Sequence, residues 1–169
     1  MTGRPRSGTK VVVLADTHIV GSGSGRLPEP VWDALRSADV ILHAGDVVSA
    51  EFLDELRALA PVHAVLGNND RPLVGALPDQ VELAFDGVGV TMLHDSGARR
   101  GREARMSRRF PSAGVVVFGH SHIPYNEPGV AGQLLFNPGS ATQRRRQPRR
   151  TFGVLHFEGG EVIGEIVPT

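Results

Sequence analysis

The stretch Val11-Val12-Val13-Leu14-Ala15-Asp16-Thr17-His18 joins a short apolar, β-branched run to two potential metal ligands. A run of that length and composition predicts a strand buried on both faces. In open α/β sheets, ligands bind beyond the carboxyl ends of the strands, which is where Asp16 and His18 fall. By itself, a strand followed by Asp-x-His is more often a turn with polar side chains. The same strand-then-polar pattern recurs, however, at Ala44-Gly45-Asp46, Gly67-Asn68-Asn69-Asp70, His94-Asp95 and Gly119-His120-Ser121-His122.

Between these points the chain alternates. Pro28 and Pro30 suit the first turn of a helix running through Trp32, Leu35 and Ala38. Val40 to His43 reads as a second strand. Ser49 is a plausible N-cap for a helix whose Phe52, Leu53, Leu56 and Leu59 form an apolar stripe at helical spacing, ended by Pro61. Val62 to Leu66 is a third strand. This βαβαβ order predicts parallel strands with right-handed crossovers.

The pattern then changes. Val81–Phe85 and Val88–Leu93, joined by Asp86-Gly87, read as an antiparallel hairpin. Gly101 to Phe110 predicts a helix and Val115 to Phe118 another buried strand. Leu134–Asn137, Thr151–Phe157 and Val162–Val167 are expected to form a second antiparallel set, with Glu158-Gly159-Gly160 as its last turn. Gly21-Ser22-Gly23-Ser24-Gly25 reads as a low-complexity linker, with a flap beside a site as the sharper alternative. Residues 1–10 are expected to be a flexible tail and 11–169 a single domain.

Composition narrows the function classes. The chain has 169 residues, 40% hydrophobic and 21% charged, with a formal net charge of zero. No global field therefore recruits nucleic acid or an anionic membrane. There is no cysteine, hence no disulfide, thiolate nucleophile or cysteine-ligated zinc. No apolar run approaches the roughly 20 residues of a membrane span. A cytoplasmic location without membrane association is the expectation.

The polar strand ends supply Asp16, His18, Asp46, Asn68, His94, His120 and His122. All are oxygen or imidazole donors, suited to Mn²⁺, Fe, Zn²⁺, Ni²⁺ or Co²⁺. One ion needs three or four protein ligands. Seven candidates suit two ions with a shared ligand. Two divalent cations ~3.7 Å apart would repel by roughly 18 kcal/mol at an effective dielectric of ~20, so something anionic must lie between them. Asp46, following a glycine that allows close backbone approach, is the candidate. His43, His63 and His156 are read as ordinary core or surface histidines.

At these residues the sequence resembles the calcineurin-like metallophosphoesterase superfamily, in particular its short, single-domain bacterial and archaeal phosphodiesterase-like branch. The ordered motifs are Asp16-Thr17-His18, Gly45-Asp46, Gly67-Asn68-Asn69-Asp70, His94 and Gly119-His120-Ser121-His122, with Asn137-Pro138-Gly139-Ser140 resembling a further common segment. The resemblance implies a four-layer αββα sandwich of two mixed β-sheets. It implies two divalent metal ions, one on Asp16, His18, Asp46 and His122, the other on Asp46, Asn68, His94 and His120. Manganese is the expected metal, with nickel, zinc, iron or cobalt as alternatives. Asp46, Asn69, Asp70 and His94 are the expected catalytic residues, and a metal-activated hydroxide would attack phosphorus in line.

Two departures stand out. Many relatives place a histidine where Asn69 lies, and amide cannot donate a proton as imidazolium does. The family often reads His-Gly-His where this chain has His94-Asp95-Ser96. The expected activity is phosphodiester hydrolysis of a small substrate. The alternatives are a non-catalytic metal-binding scaffold, like the superfamily's retromer subunit, and a nucleic-acid-binding protein or nuclease using Arg144 to Arg150. That run reads first as a solvated loop, and at 5% aromatic residues stacking platforms are scarce. Oligomeric state is open, a homo-oligomer among the alternatives.

Overall fold

The computed structural model describes residues 8–169. The first strand, β1 (Thr9–Leu14), begins two residues before the apolar run, pairing Thr9 with Phe157 and Lys10 with His156. The expected tail therefore gives way to strand at Thr9. Residues 1–7 lie outside the described residues.

The elements that follow are α1 (Glu29–Arg36), β2 (Val40–His43), α2 (Ala50–Arg57), β3 (Val62–Ala64), β4 (Gln80–Phe85), β5 (Val88–Leu93), α3 (Arg102–Arg109), β6 (Val115–Val117), β7 (Tyr125–Pro128), β8 (Leu134–Asn137), β9 (Thr151–Glu158) and β10 (Glu161–Pro168). They form two five-stranded sheets, ordered β10-β9-β1-β2-β3 and β4-β5-β6-β8-β7. Both are mixed. β1, β2 and β3 run parallel, as do β5, β6 and β8, while β9, β10, β4 and β7 join antiparallel.

Side-chain alternation along the strands builds the layers. Val12 and Leu14 of β1 pack outward with Val31, Leu35, Phe52 and Leu56 of the first two helices. Val11 and Val13 face inward, meeting Val90, Met92, Val115, Val117 and Phe136 of the other sheet. On the far side, Val116, Leu135 and Phe118 pack against Met106 of α3. The result is the four-layer αββα sandwich. Burying each such side chain is worth about 1.5–3 kcal/mol.

Local signals are obeyed where they are chemical. Pro28 stands at the N-cap of α1, and the Ser49 side chain accepts from Phe52 N–H to start α2. The Gly21–Gly25 segment is no free linker. Ser22 Oγ and Gly23 N–H both donate to the Glu55 carboxylate, Ser49 Oγ donates to Gly21 O, and a Cβ at Gly23 would stand 2.7 Å from the Phe52 ring.

Two expectations on strands are corrected, and one strand was not anticipated. β3 stops at Ala64, because Val65 and Leu66 leave the ladder for bonds to His43 O and Pro78 O. β7 gives little sequence signal, being a polar edge strand that ends in proline, which such positions tolerate. Leu134–Asn137 does not join β9 and β10. It pairs parallel to β6, and the chain then crosses to the first sheet, where β9 lies beside β1. Strand composition specifies burial, not partner, so this grouping awaited tertiary structure.

Candidate metal centre

All seven expected donors follow the carboxyl ends of five strands. Asp16 and His18 follow β1, Asp46 follows β2, Asn68 follows β3, His94 follows β5, and His120 and His122 follow β6. Backbone bonds tie these ends together. Asp16 N–H donates to Gly45 O, His18 N–H to Asp46 O, and Gly119 N–H to His94 O.

The donors meet in two overlapping groups. In one, His18 Nε2 lies 3.3 Å from His122 Nε2 and 3.4 Å from Asp46 Oδ2, and His122 Nε2 lies 3.7 Å from Asp16 Oδ1. In the other, His94 Nε2 lies 3.5 Å from the same Asp46 Oδ2 and 3.0 Å from Asn68 Oδ1. His120 Nδ1 stands 3.1 Å from Asn68 Oδ1 and 3.3 Å from His94 Nε2. Ligands about 2.1 Å from a common ion lie about 3.0–3.4 Å from one another, so both groups have the spacing of a coordination shell. Asp16 also approaches the second group, at 3.9 Å from His94 Nε2.

The backbone is bent to make this possible. Asp16, His18, Asp46, His120 and His122 all have positive φ, between 47° and 70°. For a non-glycine residue that conformation costs about 1–2 kcal/mol, a cost usually met at functional sites. The neighbouring glycines give room. A Cβ at Gly67 would stand 2.1 Å from Asp46 Oδ1, and one at Gly45, 2.4 Å from His94 Nδ1.

Each side chain has support behind it. His94 Nδ1 lies 2.7 Å from Ala44 O and His122 Nδ1 lies 2.8 Å from Gln143 O. A carbonyl only accepts, so both rings are protonated at Nδ1 and turn a bare Nε2 inward. Asp95 Oδ2 stands 3.9 Å from His120 Nε2. Asn69 donates twice to Asp46, N–H to Oδ1 at 2.8 Å and Nδ2 to Oδ2 at 2.9 Å. Asp70, expected as catalytic, instead faces backbone amides: it accepts from the N–H groups of Asp46, Val48 and Gly67.

Electrostatics mark the same place. Asp16 is fully buried, and neither carboxylate oxygen has a hydrogen-bond partner among the described residues. Burial, opposed by His94 and reinforced by Asp46, pushes its carboxyl up to about 7. Burial also opposes ionisation of Asp46, but hydrogen bonds from His94 and Asn69 outweigh it and hold that carboxyl below the usual range. Burial lowers His18 and His122. It opposes protonation of His94 too, yet Asp46 and the Ala44 carbonyl raise that ring overall. A buried carboxylate with no donor is costly unless a cation meets it. The oxygen and imidazole donors fit a divalent transition ion or zinc.

One feature was only faintly signalled in the sequence, and one histidine reading is refined. The segment after β8 braces the site from behind: Ser140 Oγ donates to Asp16 O, Thr142 Oγ1 to Thr17 O, and Asn137 Nδ2 to Gly119 O. Its only signal was the Asn-Pro-Gly-Ser motif. His43 is fully buried against Phe52, with Nε2 2.9 Å from Thr17 Oγ1, and burial holds its pKa down at about 3. It is a core histidine, as are many at strand ends.

This fold, with a carboxylate and imidazole cluster beyond its strand ends, defines a metallohydrolase class. The calcineurin-like phosphoesterase superfamily domain matches residues 9–160, and the chain belongs to that superfamily. It is 35% identical over 159 residues to a probable metallophosphoesterase of Methanothermobacter thermautotrophicus, covering 93% of this chain and 91% of the relative. An archaeal phosphodiesterase structure superposes with a TM-score of 0.72 at 21% identity, covering 94% of this chain and 99% of that one. Vps29 of Entamoeba histolytica, in complex with zinc, superposes with a TM-score of 0.71 at 24% identity, covering 94% and 98%. The chain is thus a metallophosphoesterase by family, and among the described residues no helix is long and apolar enough to cross a membrane.

Proposed function

We propose that this protein is a dinuclear-metal phosphodiesterase acting in the cytoplasm. One ion would be held by Asp16, His18, Asp46 and His122, the second by Asp46, Asn68, His94 and His120. The observation that carries this reading is Asp46 Oδ2, which stands 3.4 Å from His18 Nε2 and 3.5 Å from His94 Nε2 and so belongs to both donor groups. Manganese is the ion we expect.

Bound there, divalent cations would acidify a water and neutralise charge on the phosphoryl oxygens. The protein's own groups do the rest. Asp46 supplies the negative charge between the two positions. Asn69, by gripping both Asp46 oxygens, fixes the orientation of that carboxylate. His94 and His122, protonated at Nδ1 against carbonyls, keep Nε2 free to ligate. The Asn69 amide, bonded to Asp46, has no proton to give a leaving group as an imidazolium would. The leaving oxygen therefore departs as an anion or takes its proton from solvent. That favours esters with acidic leaving groups, aryl diesters above alkyl monoesters.

Metal analysis of untagged protein, with hydrolysis of bis-nitrophenyl phosphate and a series of diesters graded by leaving-group pKa, tests the reading. We expect about two metal equivalents and kcat/KM falling steeply as the leaving group becomes more basic. A flat series, with chemistry rate-limiting, would require another proton donor. Full metal loading without turnover of any ester would move the protein to the scaffold reading.

A further inference from the structure

We propose that the substrate is a single-stranded oligonucleotide, gripped by Arg145 and by a basic track leading from the candidate metal centre to the cleft beside Trp32. This rests on the phosphodiesterase reading and adds the substrate class.

The track begins in the loop that braces the site. Thr142 is bonded to Thr17 O, and Gln143 O receives the His122 Nδ1–H. Two residues on, Arg145 is exposed and left-handed, at φ 49°. The loop thus carries Arg145 past the His122 side of the donor cluster. A phosphate next to the scissile one would meet it there, in the geometry guanidinium suits best.

Beyond Arg145 the cations continue. Arg144, Arg149 and Arg150 line an open cavity of about 460 Å³ that also includes Pro28. Arg150 and Pro28 in turn border a larger cleft of about 800 Å³, where Arg26 and Trp32 lie. The acids of that cleft are engaged: Glu29 pairs with Arg36, and Glu55 accepts from Ser22 and Gly23. Arg26 and Arg150 have no ion pair among the described residues. Since the whole chain is formally neutral, five arginines within residues 144–150 are a local feature. A small isolated phosphodiester would touch only Arg145. A repeating backbone of phosphates would use the row, and the half-buried Trp32 ring, packed edge-to-face with Phe52, lines the cleft at its end, where we assign it the role of stacking on a base.

The test is anisotropy titration of fluorescein-labelled oligothymidylates (dimer, tetramer and octamer) onto the full-length protein in chelator, where nothing is cleaved. The octamer should bind at least tenfold tighter than the dimer. Its affinity should fall with salt at a slope of about −0.7 per phosphate contacted. The combined variant Arg145→Gln, Arg149→Gln, Arg150→Gln should abolish the gain with length. Trp32→Leu should weaken the octamer several-fold, while Trp32→Phe, which retains a stacking face, should keep most of its affinity. Equal affinity for dimer and octamer, or a combined variant that binds the octamer as tightly as the parent, would overturn the proposal. Long-chain polyphosphate displacing the octamer at equal phosphate concentration would overturn the nucleic-acid class. If the octamer binds as expected but the metal-loaded protein leaves bis-nitrophenyl phosphate untouched, the phosphodiesterase reading falls and the binding track stands.

Discussion

The two sheets contribute different chemistry to the same centre. Loops after β1, β2 and β3 of the first sheet bring both carboxylates, Asp16 and Asp46, together with His18 and Asn68. Loops after β5 and β6 of the second bring only imidazoles, His94, His120 and His122. Neither set suffices. The first holds the negative charge that attracts cations, and the second holds most of the nitrogen donors. Each donor group draws from both sheets, so the centre exists only when the inner faces, Val11 and Val13 against Val115 and Val117, are packed. Metal binding is therefore coupled to sheet–sheet packing.

The largest effect should follow removal of the residue common to both groups. Asp46→Ala should lose both metal equivalents and cut turnover by more than the about 10–100-fold typical of changes behind the ligands. Metal analysis showing normal loading in that variant would break the comparison at its centre. Next come two residues from one sheet that we assign to different ions. His120→Ala and His122→Ala should each lose about one equivalent, the first from the Asn68 side and the second from the Asp16 side. Full occupancy in either would mean the groups are not divided as we describe.

Acid should sharpen the contrast between carboxylates and imidazoles. In the metal-free protein Asp16 is held up at about 7, so below that pH an incoming cation must displace its proton. His94, also raised, keeps its proton to higher pH than an ordinary imidazole, whereas His18 and His122, both lowered, shed theirs at lower pH. Apparent metal affinity should fall as pH drops below 7, by about tenfold per pH unit for each proton displaced. Calorimetry in buffers of different ionisation enthalpy counts those protons, and affinity independent of pH between 5 and 7 would contradict the assignment. The smallest effect belongs to Asp95→Asn. Removing the charge 3.9 Å from His120 Nε2 should weaken the second ion by about tenfold or less and leave the first unchanged. Stepwise metal titration resolves the two.

Much of this was legible in the chain. The β-branched run at Val11, the Ser49 cap and the amphipathic helices are local signals, and local chemistry sets them. The donors were legible too, because each follows a strand and strand ends converge in such sheets. The sequence could not report which strands pair. Leu134–Asn137 looks like any buried strand, and only packing placed it beside β6 rather than β9. Nor could it separate Asn69 and Asp70, adjacent in the chain and opposite in duty. One grips Asp46 side-on, while the other turns inward to three backbone amides.

The arginine run shows the same division. Its charge was plain from Arg144 onward, but a loop's direction depends on the turn before it. Here that turn is fixed by Ser140 and Thr142 bonding to carbonyls 124 and 125 residues away. The sequence by itself determined which atoms could bind a metal, since donor type and strand position are local properties. Tertiary structure alone decided that one oxygen of Asp46 would stand within reach of both donor groups, because that depends on two sheets meeting to within a hydrogen-bond length.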